Sequence, residues 1–171
     1  KDINRIRRRE MRDDEKIPVA FRNNVRQRFI ESNRGKGDFK EAGFEERFWR
    51  WSPLRQARYI LEHTDETAHA IRDDILVQRD PEFMVTYQRD IWPLIRTSCI
   101  TTGCHDDKTG KGSFKLFDIT GDRTRAHYTN FYILSQYQNE GWKLVDRDHP
   151  ELSLLVQYGL PAKYAERKHP E

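Results

Sequence analysis

Two cysteines, two methionines and no long apolar run stand in these 171 residues, and each scarcity closes off a class of protein. Two cysteines cannot build the multi-bridge framework of a small disulfide scaffold. No apolar stretch approaches the ~18 residues of a membrane helix, so no span is expected, and no signal peptide is visible from Lys1 onward. A net charge of only +3, from 31 basic and 28 acidic side chains, argues against a dedicated nucleic-acid binder. The sequence holds no Ser/His/Asp set, phosphate-cradling glycine loop or metalloprotease signature, and its carboxylates are scattered. Hydrophobic residues are 36% and charged residues 35%, which makes the core lean. Aromatics at 12% compensate in volume, because each buries a large area. The length suits one domain or a small pair.

Both cysteines fall in one stretch, Cys99-Ile100-Thr101-Thr102-Gly103-Cys104-His105. A cysteine pair closed by an adjacent histidine reads as a covalent haem attachment site, in which the thiols take the vinyl groups and the histidine takes the iron. The usual spacing is C-x-x-C-H; here four residues separate the cysteines. The second thiol still reaches the porphyrin edge if the backbone loops out, and Gly103, free to adopt φ > 0, sits where that bulge must turn back. A small disulfide is the bland alternative. Zinc is another, but Cys104 and His105 are neighbours and point their side chains apart, which is awkward for one tetrahedral ion. Haem avoids that conflict, since the cysteine goes to the ring edge and the histidine to the metal.

The flanks extend the pattern. Asp90-Ile91-Trp92-Pro93-Leu94-Ile95-Arg96-Thr97-Ser98-Cys99, then Cys104-His105, then Gly110-Lys111-Gly112-Ser113-Phe114-Lys115-Leu116 resembles the planctomycete-type cytochrome c domain, written roughly I-x-P-[IL]-[LI]-x-x-x-C, C-H-G and G-[GS]-[LF]-x-L. The chain departs from it in the C-x4-C-H spacing and in Asp106, where a glycine usually follows the histidine. Further on, Asp146-Arg147-Asp148-His149-Pro150-Glu151-Leu152-Ser153-Leu154-Leu155 is similar to the family's second hallmark, P-x-x-P-x-x-S-x-L. A Met-Pro pair ordinarily follows and supplies the second axial ligand. No methionine follows Met84, and Arg167-Lys168-His169-Pro170 stands at the corresponding place. The resemblance covers residues 89–171 and does not extend to 1–88.

The resemblance implies an all-α, cytochrome c-like helical haem domain over 89–171, preceded by an N-terminal helical region, 1–88, packed on it. It implies one haem c, covalently held by Cys99 and Cys104, with His105 proximal and His169 distal. His127, on an aromatic segment, and His149, at a helix cap before Pro150, are rivals for the distal place; His63 and His69 lie in polar registers. Two imidazoles favour ferric iron and a lower potential than a histidine/methionine pair. A six-coordinate iron leaves outer-sphere electron transfer to redox partner proteins as the function, rather than enzymatic turnover. A haem-based sensor with an open distal site, or a partner-docking scaffold, are the alternatives. Arg125, Tyr128, Trp142 and Lys143 are candidate propionate partners. Haem attachment implies an exported, periplasmic or other extracytoplasmic protein, and the chain is expected to be a mature or excised part of something longer.

The hydrophobic spacing predicts helix nearly throughout. Phe21, Val25, Phe29 and Ile30 form a stripe ending near Asn33-Arg34-Gly35. Phe44, Phe48 and Trp51 repeat it, and Ser52 then caps a helix with Pro53 at its first position. Thr64-Asp65-Glu66 reads as a helix start for Ala68, Ile71 and Ile75, and Asp80-Pro81-Glu82 starts the next. Pro93 opens a short helix delivering Cys99, 106–121 read as loop, and 123–138 and 150–158 as helix. The basic cluster Arg5, Arg7, Arg8, Arg9 and Arg12 reads as a solvated helical face.

Overall fold

The computed structural model describes residues 2–100, 104–110, 113–119 and 123–169. Gly103, Gly112 and Pro170, which the sequence reading invokes, lie outside them. The chain divides into two compact units, Lys1–Arg89 and Asp90–Glu171. It is predominantly helical with two small antiparallel sheets, so the all-α expectation is corrected to mostly helical. Among the described residues no helix is long and apolar enough to cross a membrane.

In the first unit, helix α1 (Asp2–Glu10) precedes strand β1 (Val19–Phe21), helix α2 (Val25–Asn33), a 3-10 turn at Gly37–Lys40, helix α3 (Phe44–Arg50), helix α4 (Pro53–Glu62), helix α5 (His69–Arg72) and strand β2 (Ile75–Val77). β1 and β2 pair antiparallel, Val19 facing Val77 and Phe21 facing Ile75. Phe21 therefore leaves the helical stripe, because Asn23 and Asn24 take left-handed backbone at φ 49° and 51° and restart the chain at Val25. Ile75 leaves its stripe too. The Asp65 carboxylate accepts from the Thr67 amide at 2.7 Å and its hydroxyl at 2.6 Å, a local alternative to helix that leaves α5 one turn long. Ser52 caps α4 as its type predicts, its hydroxyl accepting from the Arg55 amide at 3.3 Å. Val25, Phe29, Ile30, Phe48, Ala57 and Ile60 are buried at the centre.

The arginines of α1 are not merely solvated. Arg7 donates to Asp80 at 2.8 Å, and Arg8, buried, pairs with Asp73 at 2.9 Å and donates to the carbonyls of Arg72 and Ile75. Asn4 lies along the outer edge of β2, donating to the Ile75 carbonyl and accepting from the Val77 amide, both at 2.9 Å. Side chains thus satisfy an edge that would otherwise be open.

Helix α6 (Glu82–Thr86) continues as a π-helical turn, Tyr87–Ile91, into the second unit. There helix α7 (Trp92–Ile95) and a second π-helical turn, Arg96–Ile100, lead to Cys99. Pro93 has no N–H to give the carbonyl four residues back, and π-helical turns lie on both sides of α7. Helix α8 (Arg123–Gln136) follows, then a hairpin of β3 (Gln138–Asn139) and β4 (Trp142–Lys143). Its turn residues, Glu140 and Gly141, both have positive φ, 50° and 82°. The helix expected over 150–158 is two short turns, a 3-10 turn at Pro150–Leu152 and α9 (Leu154–Gln157). Ser153 separates them because its hydroxyl binds the Asp146 amide at 2.8 Å.

Candidate haem site

His105 is fixed from three directions. Its amide donates to the Cys99 carbonyl at 2.9 Å, closing the chain across the residues between the cysteines, and its carbonyl accepts from Leu116 at 2.8 Å. Its ring Nδ1 lies 3.1 Å from the Phe114 carbonyl. A carbonyl can only accept, so Nδ1 carries the proton and Nε2 presents its lone pair. Phe114 meets the imidazole edge-on at 4.9 Å between ring centroids, and Tyr137 lies 4.5 Å beyond Phe114.

The loop after His105 folds back beneath it. Asp106 accepts from the amides of Lys108 and Thr109, which hold its carboxyl below the usual carboxylate range, the Lys108 amide contributing most. The backbone of Gly110 lies so close that a Cβ there would stand 2.3 Å from the Asp106 carbonyl oxygen and 2.9 Å from that of Cys104. The Asp106 side chain thus turns the loop through its bonds to two amides, and Gly110 supplies the close approach.

The second wall is tied to helices. Asn130, fully buried on α8, accepts from the Phe117 amide at 2.9 Å and donates to the Phe117 carbonyl at 2.8 Å. Arg96 holds Asp118 through bonds of 2.6 and 3.2 Å.

The structure brings His169 to His105. Their ring centroids are 5.9 Å apart, and Tyr158 packs edge-on against His169 at 4.9 Å. His127 is buried on α8 with its ring against Trp92 at 5.6 Å. His149 stands at the N-cap of the Pro150–Leu152 turn, as expected, with no hydrogen bond from its exposed side chain to that turn, and Asp146 accepts from the Asp148 and His149 amides at 3.0 and 3.2 Å just before it. His63 stacks on Tyr59 at 3.9 Å, and both His63 and His69 are exposed.

Cys99 and Cys104 are thiols rather than a disulfide. Burial, with a smaller contribution from Cys104, pushes the Cys99 thiol up. Among the described residues no group of three or more His, Cys, Asp or Glu side chains is placed to hold a metal ion, so Cys99, Cys104 and His105 do not converge as a zinc set. Of the propionate candidates, Tyr128 is buried, Arg125 is exposed, Lys143 faces Asp148 at 3.7 Å, and Trp142 carries the Arg167 guanidinium on its ring at 4.7 Å.

The residues present fit a haem on one geometric criterion. Imidazoles on opposite sides of one metal, at metal–nitrogen distances of ~2 Å, have centroids about 6 Å apart, which matches the His105–His169 separation. The sequence reading missed Phe114, Tyr137 and Tyr158 as the aromatic surround and Asn130 as its support. Only the G-S-F-x-L stretch carried a signal for Phe114. No family model, no curated protein and no solved structure matches this chain.

Proposed function

We propose that this chain carries a monohaem c-type cytochrome domain, cytochrome c-like in fold over 89–171, that transfers electrons to and from redox partner proteins in an extracytoplasmic compartment. Haem c would be linked through Cys99 and Cys104 and held by His105 and His169. The observation that carries the reading is the approach of His169 to His105 at 5.9 Å, two residues picked out by separate motifs far apart in sequence. A second support is apolar surface. Among the described residues seven of the ten exposed large hydrophobic side chains, Leu94, Phe117 and Tyr164 among them, lie in the second unit, although it is the shorter, and exposed apolar surface is surface open to a partner or cofactor.

A bound haem c supplies a one-electron ferric/ferrous couple. The chain's residues do the rest. The Phe114 carbonyl orients the His105 ring, while Phe114 and Tyr158 pack edge-on against the His105 and His169 imidazoles. With His105 and His169 both engaged, a bound haem would be held by the chain's own imidazoles, with no position left open to a small ligand from solution. The visible spectrum of the loaded protein tests the reading. A low-spin ferric form, with slow carbon monoxide binding after reduction, agrees with electron transfer. Rapid carbon monoxide binding by the wild type favours a ligand sensor, and absence of a haemochrome ends the cytochrome reading.

A further inference from the structure

We propose that Gln157 is the positioning residue that holds His169 against His105, an inference that rests on the cytochrome reading and deepens it. His169 is exposed and follows α9 on a stretch with no helix or strand of its own, the kind of backbone that moves unless it is tied down. Something must therefore fix the segment before it.

Gln157, at the end of α9, is 5% exposed. Its Nε2 donates to the Glu151 carbonyl at 2.7 Å. That bond fixes the amide orientation and turns Oε1 outward, where it accepts from the Glu166 amide at 2.8 Å and the Arg167 amide at 3.4 Å. One buried side chain thereby gathers the turn before α9 and the two residues that lead to Lys168 and His169. The competing tie is weaker. Arg167 lies over Trp142 and bonds Glu140 at 3.1 Å, but its side chain is 41% exposed and that of Glu140 is 72% exposed, and exposed pairs contribute little. Next along α9, Tyr158 packs on the His169 ring itself, so α9 anchors the segment at both backbone and ring.

A tethered ligand binds according to the fraction of time its segment is docked, so loss of the anchor raises the open fraction. In the full chain loaded with haem c, Gln157→Leu should turn the ferric protein largely high-spin and speed carbon monoxide binding by about tenfold or more. Arg167→Ala leaves both backbone amides on Gln157 and should remain low-spin. Gln157→Met, equally apolar and more flexible, replaces the leucine variant should the latter not fold. A low-spin Gln157→Leu protein with wild-type carbon monoxide kinetics overturns the positioning role while leaving the cytochrome reading intact. If no haem c is taken up, the cytochrome reading falls, and hydrogen exchange at Glu166 and Arg167 in the unloaded chain decides the contact. Exchange at least about tenfold faster in Gln157→Leu upholds it, and unchanged exchange overturns it.

Discussion

The amide of His105 bonds the carbonyl of Cys99 at 2.9 Å, so the first cysteine and the histidine are coupled by backbone whatever length of chain runs between the thiols. Cys104 is exposed, while Cys99 is half-buried.

That division makes the attachment chemistry testable cysteine by cysteine. With two thioethers, acidified acetone leaves haem on the polypeptide, and Cys99→Ala and Cys104→Ala each shift the pyridine haemochrome band to the singly linked position. A wild-type protein already at that position carries one linkage only. The cysteine whose replacement then releases the haem identifies the reacting thiol.

Gly110→Ala tests the loop under His105. Its methyl would meet backbone at 2.3 Å, 2.7 Å and 2.9 Å, from Asp106 twice and Cys104 once, and backbone cannot rotate out of the way as a side chain can. The chain must shift, at a cost of about 1–3 kcal/mol, read as a lower urea midpoint at unchanged slope. Wild-type stability in this variant would mean that the loop opens without consequence.

Asn130→Ala removes both partners of the Phe117 backbone from a fully buried position. An unsatisfied donor or acceptor costs about 1–3 kcal/mol when fully buried, and the two Phe117 groups are part-buried, so a loss of at most about 2–6 kcal/mol is expected in denaturant titration. Asn130→Asp should be no better, since a carboxylate would face the Phe117 carbonyl it now needs to donate to.

The sequence made the local chemistry of this fold legible and left the distant pairings hidden. Ser52 and Pro53 announce α4 because a cap needs only neighbours, and Pro93 and the C-x4-C-H stretch mark the approach to the site for the same reason. The strands β1 and β2 are three residues long, too short for alternation to register, and their pairing joins Val19–Phe21 to Ile75–Val77 across most of the first unit. The α1 arginines look solvated until Asp73 and Asp80 are brought beside them. At the site, His169 carried a positional signal, whereas Gln157, Asn130 and Tyr137 act only through tertiary contacts that no spacing encodes.

Acid should weaken the Arg96–Asp118 tie. The hydrogen bond from Arg96 holds the Asp118 carboxyl below its usual range, with the Arg96 charge assisting. A carboxylate depressed in the folded state contributes stability that is fully present above its unfolded value of about 3.9 and is lost as the pH falls through the folded value. Asp118→Asn should therefore be less stable than wild type near pH 7, with the two converging below about pH 4. A difference that does not shrink in acid would assign the effect to packing rather than charge.

The distal assignment has the most direct test. On the proposed ligation, His169→Ala in the loaded protein opens the iron and gives a high-spin ferric spectrum with fast carbon monoxide binding after reduction. A chain truncated before Lys168 should give the same species, because it removes the same imidazole and leaves Gln157 in place. His149→Ala should stay low-spin, since that side chain is exposed and makes no hydrogen bond to the turn it precedes. His127→Ala should also stay low-spin but lose stability, since the ring is buried against Trp92 and its removal leaves a cavity. If His127→Ala opens the iron and His169→Ala does not, the 5.9 Å approach of His105 and His169 is a packing contact and the axial pair must be drawn instead from α8.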